Sequence, residues 1–86
     1  VPTRRHPYPE WALARRALLG RRIAALRRAS GMSQDTLAAA AYVDRRSIMR
    51  WESGTRDPRY LDLVLLAHAL GVDVSDLVTV EDPQAG

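Results

Sequence analysis

Apolar residues recur every three or four positions along most of this chain, and nowhere do they alternate with period two for long enough to make a strand. Leu19, Ile23 and Leu26 form one stripe, while Trp11 and Leu18, seven apart, fall on another. The pattern predicts a helix from Pro9 to Arg28, with Pro9 at the first helical position and Glu10 in the first turn. Gly20 interrupts it. Glycine costs about 1 kcal/mol in a helix interior, so one bent helix and two separate helices both fit. Gly31 ends the segment as a C-terminal glycine cap. Ser33 then caps a short helix from Gln34 to Ala41 with Leu37 and Ala38 facing inward. Asp44 caps the next, its carboxylate within reach of the amides of Arg46 or Ser47, and Gly54 ends it after Glu52 and Ser53. Asp57-Pro58 reads as a cap followed by proline at the first helical position, opening a helix to Leu70 and Gly71. Asp73 caps a last short helix through Val74, Leu77 and Val78. The expected fold is all-α with five helices, or six if the first divides at Gly20. Residues 1–9, with three of the five prolines, read as an extended arm, and residues 79–86 as a polar acidic tail.

Charge sharpens the picture. The chain has 86 residues and a net charge of +3, which bounds it to one small domain. Every one of its 13 basic residues is Arg. Residues 1–28 carry eight Arg and only Glu10, a net +7, whereas residues 60–86 carry five acids and no Arg, a net −5. A chain so polarised would orient in the field of a polyanion; a solvated Arg-rich helix face is the plainer reading, and composition does not choose. Having no Cys excludes disulfide frameworks, zinc ribbons and thiol nucleophiles. No apolar run approaches the roughly 20 residues that span a bilayer, and the basic start lacks the apolar stretch of a signal peptide. A cytoplasmic domain is expected. His6 and His68 stand far apart, so no metal or other cofactor is expected. No phosphate-binding glycine loop, carboxylate pair or activated nucleophile is present, and an enzyme is the poorest reading.

A short helix, a tight turn and a second short helix define a helix-turn-helix, and residues 34–53 fit it. Ala38 supplies the small residue where two steeply crossing helices approach. Leu37, Val43, Ile48 and Trp51 supply the inward groups, and Trp51 reads as core rather than as a stacking platform. Arg45, Arg46, Met49 and Arg50 point outward from the second helix. Three guanidiniums on one exposed face suit the major groove, where Arg pairs with guanine O6 and N7. Met49 is either a contact to a thymine methyl or an idle surface residue.

Several stretches, in order and at the right spacing, resemble the phage-repressor and Cro-like helix-turn-helix regulators, the XRE family. They are Leu19-Gly20-Arg21-Arg22-Ile23 with Leu26-Arg27, Gly31-Met32-Ser33-Gln34, Leu37-Ala38, Ser47-Ile48, Trp51-Glu52-Ser53-Gly54, Pro58, and Leu66-Ala67-His68-Ala69-Leu70-Gly71-Val72. The resemblance implies a five-helix lambda-repressor-like domain over 19–78, with a recognition helix at 45–53 and a basic helical extension over 1–18. It implies sequence-specific binding of double-stranded DNA in transcription regulation. Gln34 would meet a phosphate or a base edge, and Arg45, Arg46 and Arg50 would read bases. Ser53, Thr55 and Arg56 would grip phosphate, and Arg27 with Glu52 would form a structural pair. Of the remaining arginines, Arg15, Arg16 and Arg21 read as solvating the long helix and Arg22 as a backbone contact.

Two departures stand out. Tyr42 occupies a turn position where the family usually has Gly, so either the turn differs or Tyr42 is strained by about 1 kcal/mol. Leu61 and Leu65 are an apolar excess, read as a homodimer contact or as a surface packed beneath Trp11 or Leu18. The dimer is favoured, because one such module reads few bases. The alternative function is an antitoxin-type member that binds a toxin protein and autoregulates its operon.

Overall fold

The computed structural model describes residues 7–79. Of the arm expected over 1–9, residues 1–6 lie outside them, as do residues 80–86 of the tail expected over 79–86. Among the described residues there are five helices and no strand: α1 (Glu10–Ala29), α2 (Gln34–Ala40), α3 (Arg45–Glu52), α4 (Tyr60–Leu70) and α5 (Val74–Val78). α1 lies against α3 and α5, α2 bridges α3 and α4, and α5 closes on α4. Ile23, Leu37, Ala38, Ala41, Ile48, Trp51, Leu66, Ala67, Leu70 and Leu77 form one buried core, with Leu19, Leu26 and Val43 packed against it. All five helices contribute.

α1 is one continuous helix, and Pro9 sits at its N-cap rather than inside it. Gly20 is there for a neighbour. A Cβ at this position would overlap the carbonyl oxygen of Trp51 and lie 2.7 Å from that of Glu52. The C-terminal turn of α3 therefore rests directly on the backbone of α1. This contact offsets the propensity that glycine gives up.

The helix ends share one device. After α1, α2, α3 and α4, the chain turns through a left-handed residue: Gly31, Tyr42, Gly54 and Gly71. At α2 the amide of Val43 donates to the carbonyl of Ala38 (3.0 Å), and that of Tyr42 to Ala39 (3.4 Å). That is the Schellman pattern, so the turn keeps the usual geometry and Tyr42 bears the strain at φ +60°. Its side chain is 82% exposed, so packing does not hold it there.

One expected start is corrected. α4 begins at Tyr60 with Arg59 as N-cap, not at Asp57-Pro58. The Asp62 carboxylate accepts from the Arg59 amide (2.9 Å), satisfying an end group that the Asp57 reading left to another turn. Asp57 instead lines a shallow pocket with Tyr8, Ala12, Leu13 and Arg16. Asp73 holds the N-cap of α5 as expected, and the Asp76 carboxylate accepts from the Asp73 amide (2.9 Å). Leu61 is 70% exposed, so it does not lie beneath the N-terminal half of α1; Leu65 is partly covered by the core.

Gly20 and Tyr42 carry opposite expectations. Gly20→Ala should destabilise by about 1–3 kcal/mol, because overpacking against fixed carbonyls outweighs the gain in helix propensity. Tyr42→Gly should be neutral or stabilising, because it removes the Cβ clash at positive φ. Thermal melting of both variants checks the pair. A Gly20→Ala protein as stable as the parent would refute the close approach.

Candidate nucleic-acid interface

The site is built on α3, which has two faces of opposite kind. Ile48 and Trp51 are buried, whereas Arg45, Arg46 and Arg50 are exposed and Met49 is 46% exposed. The cap holds the helix start: Asp44 Oδ1 accepts from the Ser47 amide at 2.8 Å. That hydrogen bond, with a smaller contribution from the charges of Arg46 and Arg50, holds the Asp44 carboxyl below its ordinary pKa. Arg45 lies 3.9 Å from Asp35, both largely exposed, so the pair contributes little and leaves the guanidinium free to move. Arg46 and Arg50 make no side-chain hydrogen bond among the described residues.

Behind this face lies a bonded frame. Arg27 Nε donates to Glu52 Oε2 at 2.6 Å, and one terminal nitrogen donates to Oε1 at 3.0 Å. The other donates to the Met32 carbonyl at 2.9 Å, in the turn before α2. Both side chains are nearly buried, at 11% and 8% exposure. The hydrogen bond to Glu52 raises the pKa of Arg27 against the opposing effect of burial. Gln34 Nε2 donates to Glu52 Oε1 at 3.1 Å. The Glu52 carboxylate at the end of α3 thus ties α1 to α2, and Arg27 adds the turn between them.

The loop after α3 is closed from within. The hydroxyls of Ser53 and Thr55 both donate to the Arg50 carbonyl, at 3.1 and 3.2 Å, and stand 3.0 Å from each other. The amides of Thr55 and Arg56 reach the same carbonyl. The two hydroxyls shape the loop, and Arg56 is its exposed cation. From the other side, Arg16 Nε donates to the Gly54 carbonyl at 2.6 Å. The first half of α1 therefore braces this loop as part of an unbroken helix.

Arg21, Ala24, Arg28, Gln34, Met49, Glu52 and Ser53 line an open concavity of about 520 Å³ between α1 and the motif. It gathers Gln34, Met49 and Ser53 with two arginines that were not among the expected site residues. Their signal lay in the spacing: Arg21, Ala24 and Arg28 are three and four apart, on one helix face. Arg22, expected at a phosphate, spends its Nε on the Asp76 carbonyl at 3.0 Å and ties α1 to α5. Among the described residues no cluster of His, Asp or Glu could hold a metal ion, and no helix is long and apolar enough to cross a membrane.

The comparisons agree with this geometry. Residues 23–77 match the family model HTH_3, described as Helix-turn-helix. An uncharacterized HTH-type transcriptional regulator, y4dJ of Sinorhizobium fredii, is 37% identical over 67 residues, spanning 78% of this chain and 87% of the relative. The restriction-modification controller protein C.AhdI from Aeromonas hydrophila is similar in structure, with a TM-score of 0.73 at 34% identity over 74% of this chain and 97% of that one. The clp gene regulator ClgR from Corynebacterium glutamicum superposes with a TM-score of 0.70 at 26% identity, over 85% of this chain and 87% of that one. With the motif, the all-helical frame and these relatives in agreement, the chain belongs to the XRE-type helix-turn-helix family and is a DNA-binding transcription regulator.

Proposed function

We propose that this protein recognises a specific double-stranded DNA site with α3 in the major groove, acting in the cytoplasm as a two-fold homodimer. The observation that carries the reading is the exposed row of Arg45, Arg46, Met49 and Arg50 on a helix whose other face is locked into the core. Arg46 and Arg50 lie four apart and project from one face toward base edges; guanine O6 and N7 are their best partners. Arg45 reads beside them, and Met49 meets a thymine methyl. Arg56 on the loop, with Arg21 and Arg28 on α1, contacts phosphate oxygens on either side of the helix. Ser53 and Thr55 hold the loop that presents Arg56.

Tyr60, Leu61 and Val64 support the dimer. They form one apolar face at the start of α4, with Tyr60 69% and Leu61 70% exposed. A second copy related by a two-fold axis would cover that face and place the two recognition helices about one DNA turn, roughly 34–36 Å, apart.

Two experiments test this. The first separates the arginines by job, using a DNA site selected from a random pool and its single-base variants. Arg46→Ala and Arg50→Ala should each cost about 1–3 kcal/mol on the selected site and much less on unrelated DNA. Arg56→Ala, Arg21→Ala and Arg28→Ala should weaken binding to all sequences alike, each flattening the log-affinity against log-salt slope by about one unit. Arg27→Ala should act through stability, by about 3 kcal/mol, because it strands the Glu52 charge. If Arg46→Ala and Arg50→Ala keep the parent base preferences, α3 is not the reader. The second experiment is sedimentation of Leu61→Glu: a parent that runs as a dimer on its site, and a variant shifted toward monomer with weaker site binding, are expected. A parent that is monomeric both free and on DNA would contradict the dimer.

A further inference from the structure

We propose that Arg16 is a positioning residue for DNA binding: by holding the Gly54 carbonyl it fixes the loop after α3 in the shape that presents Arg56 to phosphate, without touching DNA itself. This rests on the reading of Arg56 as a phosphate contact. Arg16 stands on the second turn of α1, ahead of the residues 23–77 that match the family model, so that part of the helix gains a task in binding. By spacing alone Arg16 is one more solvated arginine. In the structure its Nε donates to the Gly54 carbonyl at 2.6 Å, and the side chain is half-buried. A charged donor at that distance makes one of the stronger hydrogen bonds.

The hydroxyls of Ser53 and Thr55 and the amides of Thr55 and Arg56 all end on the Arg50 carbonyl. Those bonds fasten the loop to α3. Arg16 fastens it to α1. The two backbones are already close there: a Cβ on Gly54 would stand 3.1 Å from Cα of Ala17, and Gly54 carries the left-handed turn at φ +77°. Arg56 follows in the same loop and is exposed. An exposed arginine on a loose loop gives up part of its contact energy to ordering when it meets a phosphate. Held at Gly54, the loop is ordered beforehand and less of that energy is lost. What acts is the N–H at Nε rather than the charge of the guanidinium.

Two neutral substitutions separate the hydrogen bond from the charge. Gln places its side-chain nitrogen as many bonds from Cα as Arg places Nε, so Arg16→Gln keeps a donor for Gly54. Arg16→Met fills the same length with none. Binding of the full chain is measured on the selected site and on unrelated DNA across a salt series, with melting curves showing that each variant is folded at the binding temperature. Arg16→Met should lose about three- to tenfold in affinity on both DNAs and keep every base preference. Its salt slope should flatten toward that of Arg56→Ala, by up to about one unit. Arg16→Gln should stay within about twofold of the parent, since a charge that touches no phosphate is largely screened, and should keep the parent slope. On an Arg56→Ala background, Arg16→Met should cost almost nothing more, because the two act as one unit. If Arg16→Gln and Arg16→Met weaken binding equally, the Arg16 charge meets phosphate directly and the proposal falls. It falls too if neither weakens binding, or if Arg16→Met lowers only the melting temperature. Should Arg16→Met fail to fold, Arg16→Ala makes the same contrast with Arg16→Gln. An Arg56→Ala protein with the parent affinity and slope would remove the phosphate reading of the loop as well; a weakened Arg56→Ala beside an unchanged Arg16→Met overturns this inference alone.

Discussion

The close approach of α1 to α3 at Gly20 is the constraint on which the rest depends. With no side chain at that position, the carbonyls of Trp51 and Glu52 settle against the α1 backbone. This depth brings Arg27 within reach of Glu52 and Arg16 within reach of Gly54. It also lets Ile48 and Trp51 reach the core from a helix of eight residues. So short a helix is marginal alone, and packing rather than propensity keeps it formed. The outward row of arginines inherits its direction from that packing.

The Arg27–Glu52 pair sets geometry more than stability. Removing two opposite charges from water costs nearly what their attraction returns, so its net worth is small, while losing one partner is costly. Its value lies in where the carboxylate sits. Glu52 takes hydrogen bonds from α1 and from α2 while belonging to α3, so the three helices keep one relative orientation. The first residue of α2 is drawn into the same network.

The arginines share one chemistry, and the tertiary structure divides those among the described residues. Arg16, Arg22 and Arg27 spend their hydrogen bonds on Gly54, Asp76, Glu52 and Met32 and hold elements together. Arg21, Arg28, Arg46, Arg50 and Arg56 stay exposed on or beside the concavity and the outer face of α3. The guanidinium suits both tasks because its planar fork bonds carbonyls and carboxylates inside as readily as bases and phosphates outside.

Local rules were written plainly in the chain. The Ser33 and Asp44 caps, the glycine ends, the inward set of Leu37, Ile48 and Trp51 and the outward arginines of α3 follow from spacing and from groups within a few residues of one another. That Tyr42 holds a glycine position came from the family resemblance, which left a different turn and a strained Tyr42 both open; the left-handed Tyr42 settles it. What the sequence alone did not determine were choices between partners far apart. Gly20 reads equally as a helix break or as a packing surface until α3 is laid on it. Arg21 and Arg22 are neighbours of identical type, and only the positions of α2, α3 and α5 send one to the concavity and the other to Asp76. Asp57-Pro58 and Arg59 with Asp62 both offer a helix start, and α4 begins after Arg59, whose amide donates to the Asp62 carboxylate. Hydrogen bonds between near neighbours are set by backbone geometry, which sequence encodes directly; those between distant segments exist only once the core has fixed how the helices lie.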